Sequence, residues 1–322
     1  MNLIFIHLGT KKIDYLSDSI QQALFFNSKI KIFLVSNKNT YDKVNYKIKK
    51  KIIFKNIKNL KISNNHKNFI NNNLLDKKWY QGFWTYTTER FFYLESLSKK
   101  YKLKNIIHIE NDILLYFDLL KKKKIFEKIN IGMLLDSNIK AIPSFLYFKN
   151  VKCLSLFINF LNKSHSLPNM ILGKTLGKIN QKLGKLNNYI KNDMDILFDF
   201  FKKYKNSKTL TVLPSATPFL DKNKKYSKNI SIEKLYKEFE GIFDPAGYGL
   251  YLDGFDRNKI FKQKSINKNL FISKSAINLK NYFIKFKKIK NYKIPFLNYK
   301  NKQVKLLTLH IHSKNLKKFL SK

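Results

Sequence analysis

Asn105-Ile106-Ile107-His108-Ile109-Glu110-Asn111-Asp112-Ile113-Leu114-Leu115-Tyr116 is the stretch on which the reading of this chain turns. A β-branched apolar run ends on two carboxylates one residue apart and then regains its apolar character. A strand without polar alternation fits a parallel sheet covered on both faces, and ligands of such sheets bind beyond the carboxyl ends of the strands. Glu110 and Asp112 are therefore expected at the ligand edge. Alternate carboxylates can share one hard cation, which in turn can neutralise nucleotide phosphates. Without a cation, a base or solvent, such a pair would be costly beside an apolar sheet. A strand ending in a solvated acidic turn is the other reading, and this stretch alone leaves both open.

Upstream, Leu3-Ile4-Phe5-Ile6 reads as a first strand that breaks at His7-Leu8-Gly9-Thr10. A helical pattern follows from Ser17 to Phe25, with Ser17 or Asp18 as its cap. Lys31 to Ser36 then reads as the next strand. Strand, loop, helix, strand is a βαβ unit, and its crossover places Gly9 and Thr10 at the carboxyl edge of the sheet, as nucleotide-binding candidates or as a plain turn. The lysine-dense residues 43 to 62 suit a strand with one wet face. Trp79 to Trp84 reads as an aromatic loop, and Phe91, Leu94, Leu97 and Tyr101 recur at helical spacing, with Arg90 off their stripe.

Downstream, Ile131 to Asp136 and Phe145 to Phe148 read as strands, and Leu154 to Leu161 as a buried helix. Residues 162 to 190 are polar and carry spaced glycines. Within them Gly173-Lys174-Thr175 imitates the end of a phosphate-binding P-loop, but the first glycine of that motif would fall on Pro168, which has no amide to offer a phosphate. Asn192-Asp193-Met194-Asp195 opens another helical pattern. The stretch from Phe243 to Gly254 gathers glycines around Asp244 and Asp253. Leu306 to Lys314 alternates, placing His310 and His312 on one face opposite Leu309 and Ile311; two such histidines are either metal ligands or a plain polar face.

The formal net charge of +43 would ordinarily suggest a polyanion partner. Of the 64 basic residues, however, only Arg90 and Arg257 are arginine. Arginine is the residue suited to bidentate phosphate and guanine contacts, so specific nucleic-acid recognition is disfavoured and a solvated lysine surface is expected. The single Cys153 cannot form an internal disulfide, which favours a reducing compartment. The amino terminus lacks the positive region of a signal peptide, and no apolar run reaches the roughly 18 residues of a membrane span. A cytoplasmic protein is expected, with peripheral contact to the anionic inner membrane face as a further expectation.

Taken in order, the βαβ unit, Arg90-Phe91-Phe92-Tyr93-Leu94, Glu110-Asn111-Asp112, Asp193-Met194-Asp195-Ile196-Leu197 and the terminal His310-Ile311-His312 with Lys314 resemble the GT-A class of nucleotide-sugar glycosyltransferases, and within it the retaining branch of family 8. That resemblance implies a mixed, mainly parallel α/β sheet flanked by helices in one domain, with residues 1–120 as the nucleotide-binding half and 121–322 as the acceptor half. It implies Mn²⁺ or Mg²⁺ on Asp112, a carboxyl-terminal histidine (His310 or His312) and Glu110, which replaces the usual first aspartate. It further implies Gly9, Thr10, Arg90, Asp112, Asp195 and Lys314 on the donor; if the reaction inverts, an acid such as Asp244, Asp253 or Asp193 must deprotonate the acceptor hydroxyl. Met194 departs from the glutamine of that branch, which leaves the stereochemical outcome open. The implied partners are a nucleotide-sugar donor, most simply a UDP-sugar, and a glycan, lipid-linked or lipopolysaccharide acceptor. A lysine-rich polyanion binder, using Phe283-Ile284-Lys285-Phe286-Lys287-Lys288, and a metal-dependent phosphohydrolase are the alternatives.

Overall fold

The computed structural model describes residues 1–9, 13–75, 82–137, 140–165, 191–215, 232–249, 252–253, 282–299 and 302–322. Thr10, Arg257, the Gly173-Lys174-Thr175 stretch and the tip of the Trp79–Trp84 loop lie outside them. The elements that position the site begin with β1 (Asn2–His7), α1 (Tyr15–Phe26), β2 (Lys31–Ser36), α2 (Lys38–Asp42), α3 (Tyr46–Lys49) and β3 (Ile53–Asn56). They continue with α4 (Asn64–Asn72), α5 (Phe83–Lys100), β4 (Lys104–Ile109), β5 (Ile113–Leu115), α6 (Lys123–Phe126), β6 (Ile131–Ser137), β7 (Lys140–Asn150) and α7 (Val151–Ser164). After these come α8 (Asp193–Tyr204), β8 (Leu210–Val212), α9 (Ile232–Phe239), and the strands β9 (Tyr282–Ile289), β10 (Tyr292–Tyr299), β11 (Lys302–Lys305) and β12 (Thr308–His310).

Seven strands form the central sheet in the order β3-β2-β1-β4-β7-β6-β8. Neighbours run parallel except where β7 meets β4 and β6, so the sheet is mixed and mainly parallel. Both faces are covered. Ile4 and Ile6 of β1 share a core with Phe91 and Leu94 of α5, Phe157 of α7 and Phe200 of α8, whereas Leu3 and Phe5 share one with Leu16 and Ile20 of α1 and Phe126 of α6. Burial on both faces is why these strands carry no polar alternation. From β1 the order departs one way to β2 and the other way to β4, a switch point whose carboxyl ends frame a crevice.

Two smaller sheets lie outside this one. β9, β10 and β11 form an antiparallel meander that was not expected from the sequence. Its lysines hid the pattern: Lys285 and Lys287 of β9 face solvent while Ile284 and Phe286 pack inward on Leu114, Tyr116 and Leu309. The other pair joins β12 to β5 antiparallel, with His310 opposite Ile113. Residues 43 to 62 also differ from the expected strand. They divide into α3, the short β3 and a single helical turn, capped by Asn45 and Asn56 side chains that accept the amides of Lys47 and Lys58. Likewise α1 starts before Ser17, whose hydroxyl accepts the amide of Asn45 instead of capping the helix.

His165 closes α7 with its ring 2% exposed, edge-on to Phe69. Burial pulls its imidazole pKa down to about 4, below the ordinary 6.5. A base with a depressed folded pKa gives stability that is complete above the unfolded pKa and is lost as pH falls toward the folded one. Between pH 7 and pH 4 the native protein should therefore lose about 3 kcal/mol relative to His165→Phe, measured by urea unfolding of both chains across that range. Parallel stability curves would show that this ring is not held neutral by the fold.

Candidate active site

The turn after β4 carries Glu110, Asn111 and Asp112. Ile113 N–H closes it on Glu110 O at 3.2 Å, and the Asn111 amide donates to Ile6 O at the end of β1 at 3.0 Å. The two carboxylates thus stand at the crevice between β1 and β4. The chain reaches this place a second time, because β12 pairs with β5 and Ile311 N–H donates to Asp112 O at 3.0 Å. His310 Nε2 lies 3.1 Å from Asp112 Oδ2, and His310 Nδ1 lies 3.9 Å from Glu110 Oε2. Lys314, whose backbone turns left-handed at φ 64°, brings its ammonium onto Asp112 Oδ2. His312 lies beside His310, ring centroids 4.4 Å apart and the planes tilted by 38°.

On the other side of Glu110, Arg90 projects from α5. Its guanidinium donates to Glu110 Oε1 at 2.8 Å and to Asp193 Oδ2 at 2.9 Å, while its face lies over Phe91. Asp193 is the first residue of α8, a helix held by a capping box in which Asn192 accepts the amides of Met194 and Asp195. One continuous line of charge therefore runs Asp193, Arg90, Glu110, His310, Asp112, Lys314. Burial works against the charge of Arg90, and Glu110 and Asp193 more than restore it. Burial, with Glu110 adding to it and Arg90 opposing, pushes the Asp193 carboxyl up to about 6. At the other end burial would raise Asp112, but His310, Lys314 and His312 hold it well below the usual carboxylate range. The imidazole of His310 is raised in turn, since Asp112 and Glu110 outweigh its burial.

The donor set of this cluster suits a divalent cation. Among the described residues Glu110, Asp112 and His310 offer one ligand atom each, all within 4.8 Å of one another. Carboxylate oxygen with imidazole nitrogen is a set that Mn²⁺ accepts, and Mg²⁺ would take the carboxylates with water. Three buried polar atoms close by lack a hydrogen-bond partner among the described residues: Arg90 Nε, Asn111 Oδ1 and His310 Nδ1. Buried groups of this kind normally find a partner, and these three lie around the Glu110–Asp112 pair.

The remaining expectations fall elsewhere. Gly9 follows β1 at the carboxyl edge, its carbonyl accepting the Asn37 amide at 3.2 Å. Asp195 is exposed and accepts the Asn192 amide as part of the helix cap. Asp253 receives Asn315 Nδ2 at 2.7 Å and Lys318 Nζ at 2.6 Å. Asp244 is fully enclosed, and its two oxygens accept four backbone amides: Gly247 at 2.8 Å and Tyr248 at 2.9 Å on Oδ1, Gly249 at 2.7 Å and His310 at 2.9 Å on Oδ2. A carboxylate that accepts four amides in this way is engaged by main chain on both oxygens. Sequence reasoning also passed over Ser144 and Thr308, single hydroxyls in apolar strands that carried no local signal.

Gly249 shows how tightly this region is built. A methyl group there would stand 2.4 Å from His310 O, 2.8 Å from His310 C and 2.9 Å from Asp244 Oδ2. Two of those atoms are backbone and cannot swing aside. Gly249→Ala should lower stability by about 1–3 kcal/mol, read as a fall in urea midpoint without a change of slope. An unchanged midpoint would mean that the loop yields freely.

No family model and no curated protein matches the chain. Among solved structures it is similar to mouse xyloside xylosyltransferase 1 in its apo form, at 10% identity and TM-score 0.44, over 67% of this chain and 86% of that one. It is similar to galactosyltransferase LgtC in complex with donor and acceptor sugar analogs, at 9% identity and TM-score 0.41, over 72% and 82%. It is also similar to the glycosyltransferase GlyE of Streptococcus pneumoniae, at 11% identity and TM-score 0.37, over 66% and 44%.

Proposed function

We propose that this chain is a metal-dependent glycosyltransferase of the GT-A type that moves a sugar from a nucleoside diphosphate sugar, most simply a UDP-sugar, to a glycan or lipid-linked acceptor. The observation that carries the reading is the meeting of Glu110 and Asp112 with His310 and Lys314 at the carboxyl ends of β1 and β4. Acids and a histidine from distant segments would form one cation site with a lysine beside it, at the switch point where nucleotides bind in such sheets. Residues 1–120 supply Arg90, Glu110 and Asp112 as the nucleotide half, and residues 121–322 supply Asp193, His310 and Lys314.

Asp112, His310 and Glu110 would hold Mn²⁺ or Mg²⁺, which when bound supplies Lewis-acid neutralisation of the leaving diphosphate. Lys314 adds a second positive charge on the same side, where negative charge develops as the sugar departs. Arg90, fixed by Glu110 and Asp193, stands on the opposite flank to orient the donor sugar. Of the three acids considered as a base, Asp193 is the one whose carboxylate pairs with a charged side chain of this line, Arg90, while its other oxygen accepts the Met194 amide. Acceptors of the lipid-linked or lipopolysaccharide kind would reside at an anionic membrane, for which the lysine-rich surface is suited. No helix among the described residues is long and apolar enough to cross a membrane.

The test is release of nucleoside diphosphate from a panel of UDP-, GDP- and ADP-sugars, with Mn²⁺, with Mg²⁺ and with chelator. Release from one donor class that stops on chelation is the expected result. Equal, salt-sensitive association with every nucleotide would instead show only the lysines.

A further inference from the structure

The enclosed Asp244 is tied to both halves of the cation site. On one side its carboxylate accepts the backbone N–H of His310 at 2.9 Å. On the other, its carbonyl accepts the Ser144 hydroxyl at 3.3 Å, and Ser144 O in turn accepts the backbone N–H of Glu110 at 3.3 Å. Its own N–H donates to Thr308 Oγ1 at 2.9 Å, two residues before His310. Asp244 thus adds a buried link between β7 and β12 beside the direct bond of Ile311 N–H to Asp112 O. The 244–249 loop is wound onto the same carboxylate, and Gly249 lies against the His310 carbonyl with no room for a side chain.

From this geometry we infer that Asp244 is a positioning residue, setting the distance between Glu110 and His310 so that the two converge with Asp112 on one cation. The inference rests on the reading of Glu110, Asp112 and His310 as a metal site. A buried carboxylate that receives four amides is a strong, charge-assisted junction, and it holds main chain rather than a rotatable side chain. Ligands projecting from main chain fixed in this way lose little freedom when a cation binds, and loosening such outer partners typically costs 10–100-fold in metal affinity.

Asp244→Asn is the direct test. Whichever oxygen the amide nitrogen replaces, two of the four N–H groups lose an acceptor and face a donor. Affinity for Mn²⁺ alone is measured by electron paramagnetic resonance of the free ion, beside the melting temperature of each chain. Native protein should bind Mn²⁺ and lose it on Asp112→Asn, and Asp244→Asn should bind about 10–100-fold more weakly. Ser144→Ala, which cuts only the link toward Glu110, should weaken binding about fivefold, the worth of one ordinary hydrogen bond. A folded Asp244→Asn that melts earlier but holds Mn²⁺ as the native chain does would overturn the inference. Should Asp244→Asn not fold, unchanged affinity in Ser144→Ala would overturn it equally. Mn²⁺ binding that is absent, or indifferent to Asp112→Asn, would overturn the metal reading itself and this inference with it.

Discussion

Asp112→Ala should reduce Mn²⁺-dependent binding of the cognate nucleoside diphosphate at least 100-fold while the chain stays folded. Asp112 is the carboxylate that pairs with both His310 and Lys314 among the described residues, so its loss removes the central ligand and also the anion that draws those two basic groups together. In the native chain its carboxyl is held well below the ordinary range, and such a group contributes stability that is present above the unfolded pKa and lost as pH falls through the folded one. The alanine chain should therefore lack that acid-dependent part of the stability. Its His310 should also titrate lower, because burial then acts without the main carboxylate that opposes it. The measurement is calorimetric titration of UDP, GDP, CMP and ADP with and without Mn²⁺, with proton NMR of the imidazole as a check on His310. Equal nucleotide affinity in the two chains would remove Asp112 from the site.

Arg90→Met should cost about 3–5 kcal/mol of stability, the usual effect of leaving buried charges without their partner. The guanidinium lies between Glu110 and Asp193, and α5 and α8 meet the sheet at that point. The loss should depend on pH with a defined sign. The Asp193 carboxyl is already raised to about 6 with Arg90 present. Without Arg90 it must rise further, and an acid whose folded pKa exceeds its unfolded value loses stability as pH increases between the two. The cost should therefore be larger at pH 8 than at pH 5, where Asp193 can take up a proton. Adding Asp193→Asn should recover part of it, because a neutral amide needs no cation. Urea unfolding of the native chain, both single variants and the double variant at both pH values checks this. A pH-independent loss with no recovery would mean that Arg90 acts by packing on Phe91 alone.

The framework of the site was legible from local pattern. The apolar runs at 3–6, 31–36 and 105–109 needed no partner to be recognised as strands buried on both faces, since two-sided burial removes polar residues from the sequence itself. Helix α5 was equally visible, because its stripe of Phe91, Leu94 and Leu97 is repeated locally. The alternation at Leu309, His310 and Ile311 put the two histidines on one face, and their ring centroids lie 4.4 Å apart. The meander from β9 to β11 was missed because lysines fill the outward positions of β9 and mask the period. The single turn at Ile57–Asn59 was missed because asparagine side chains cap their own neighbourhood there.

Asp244 is the instructive case. An acid among glycines reads as a reactive group, and the same residue types equally serve to fold a loop around a carboxylate. Which of the two it is depends on how many N–H groups surround it, and one of these comes from His310, 66 positions along the chain. What the sequence by itself determined was the apolar strands of the central sheet, helix α5, the acidic end of β4 and the residue types able to hold a cation, all of which follow from patterns within a few residues. What only the tertiary structure decided was which acids and bases meet. Asp112 and Lys314 stand 202 residues apart and come together because β12 pairs with β5. The same packing encloses Asp244 and turns Asp253 toward Lys318. The physical reason is that backbone pairing and burial, rather than side-chain chemistry, set those distances, and no local pattern encodes a partner so far along the chain.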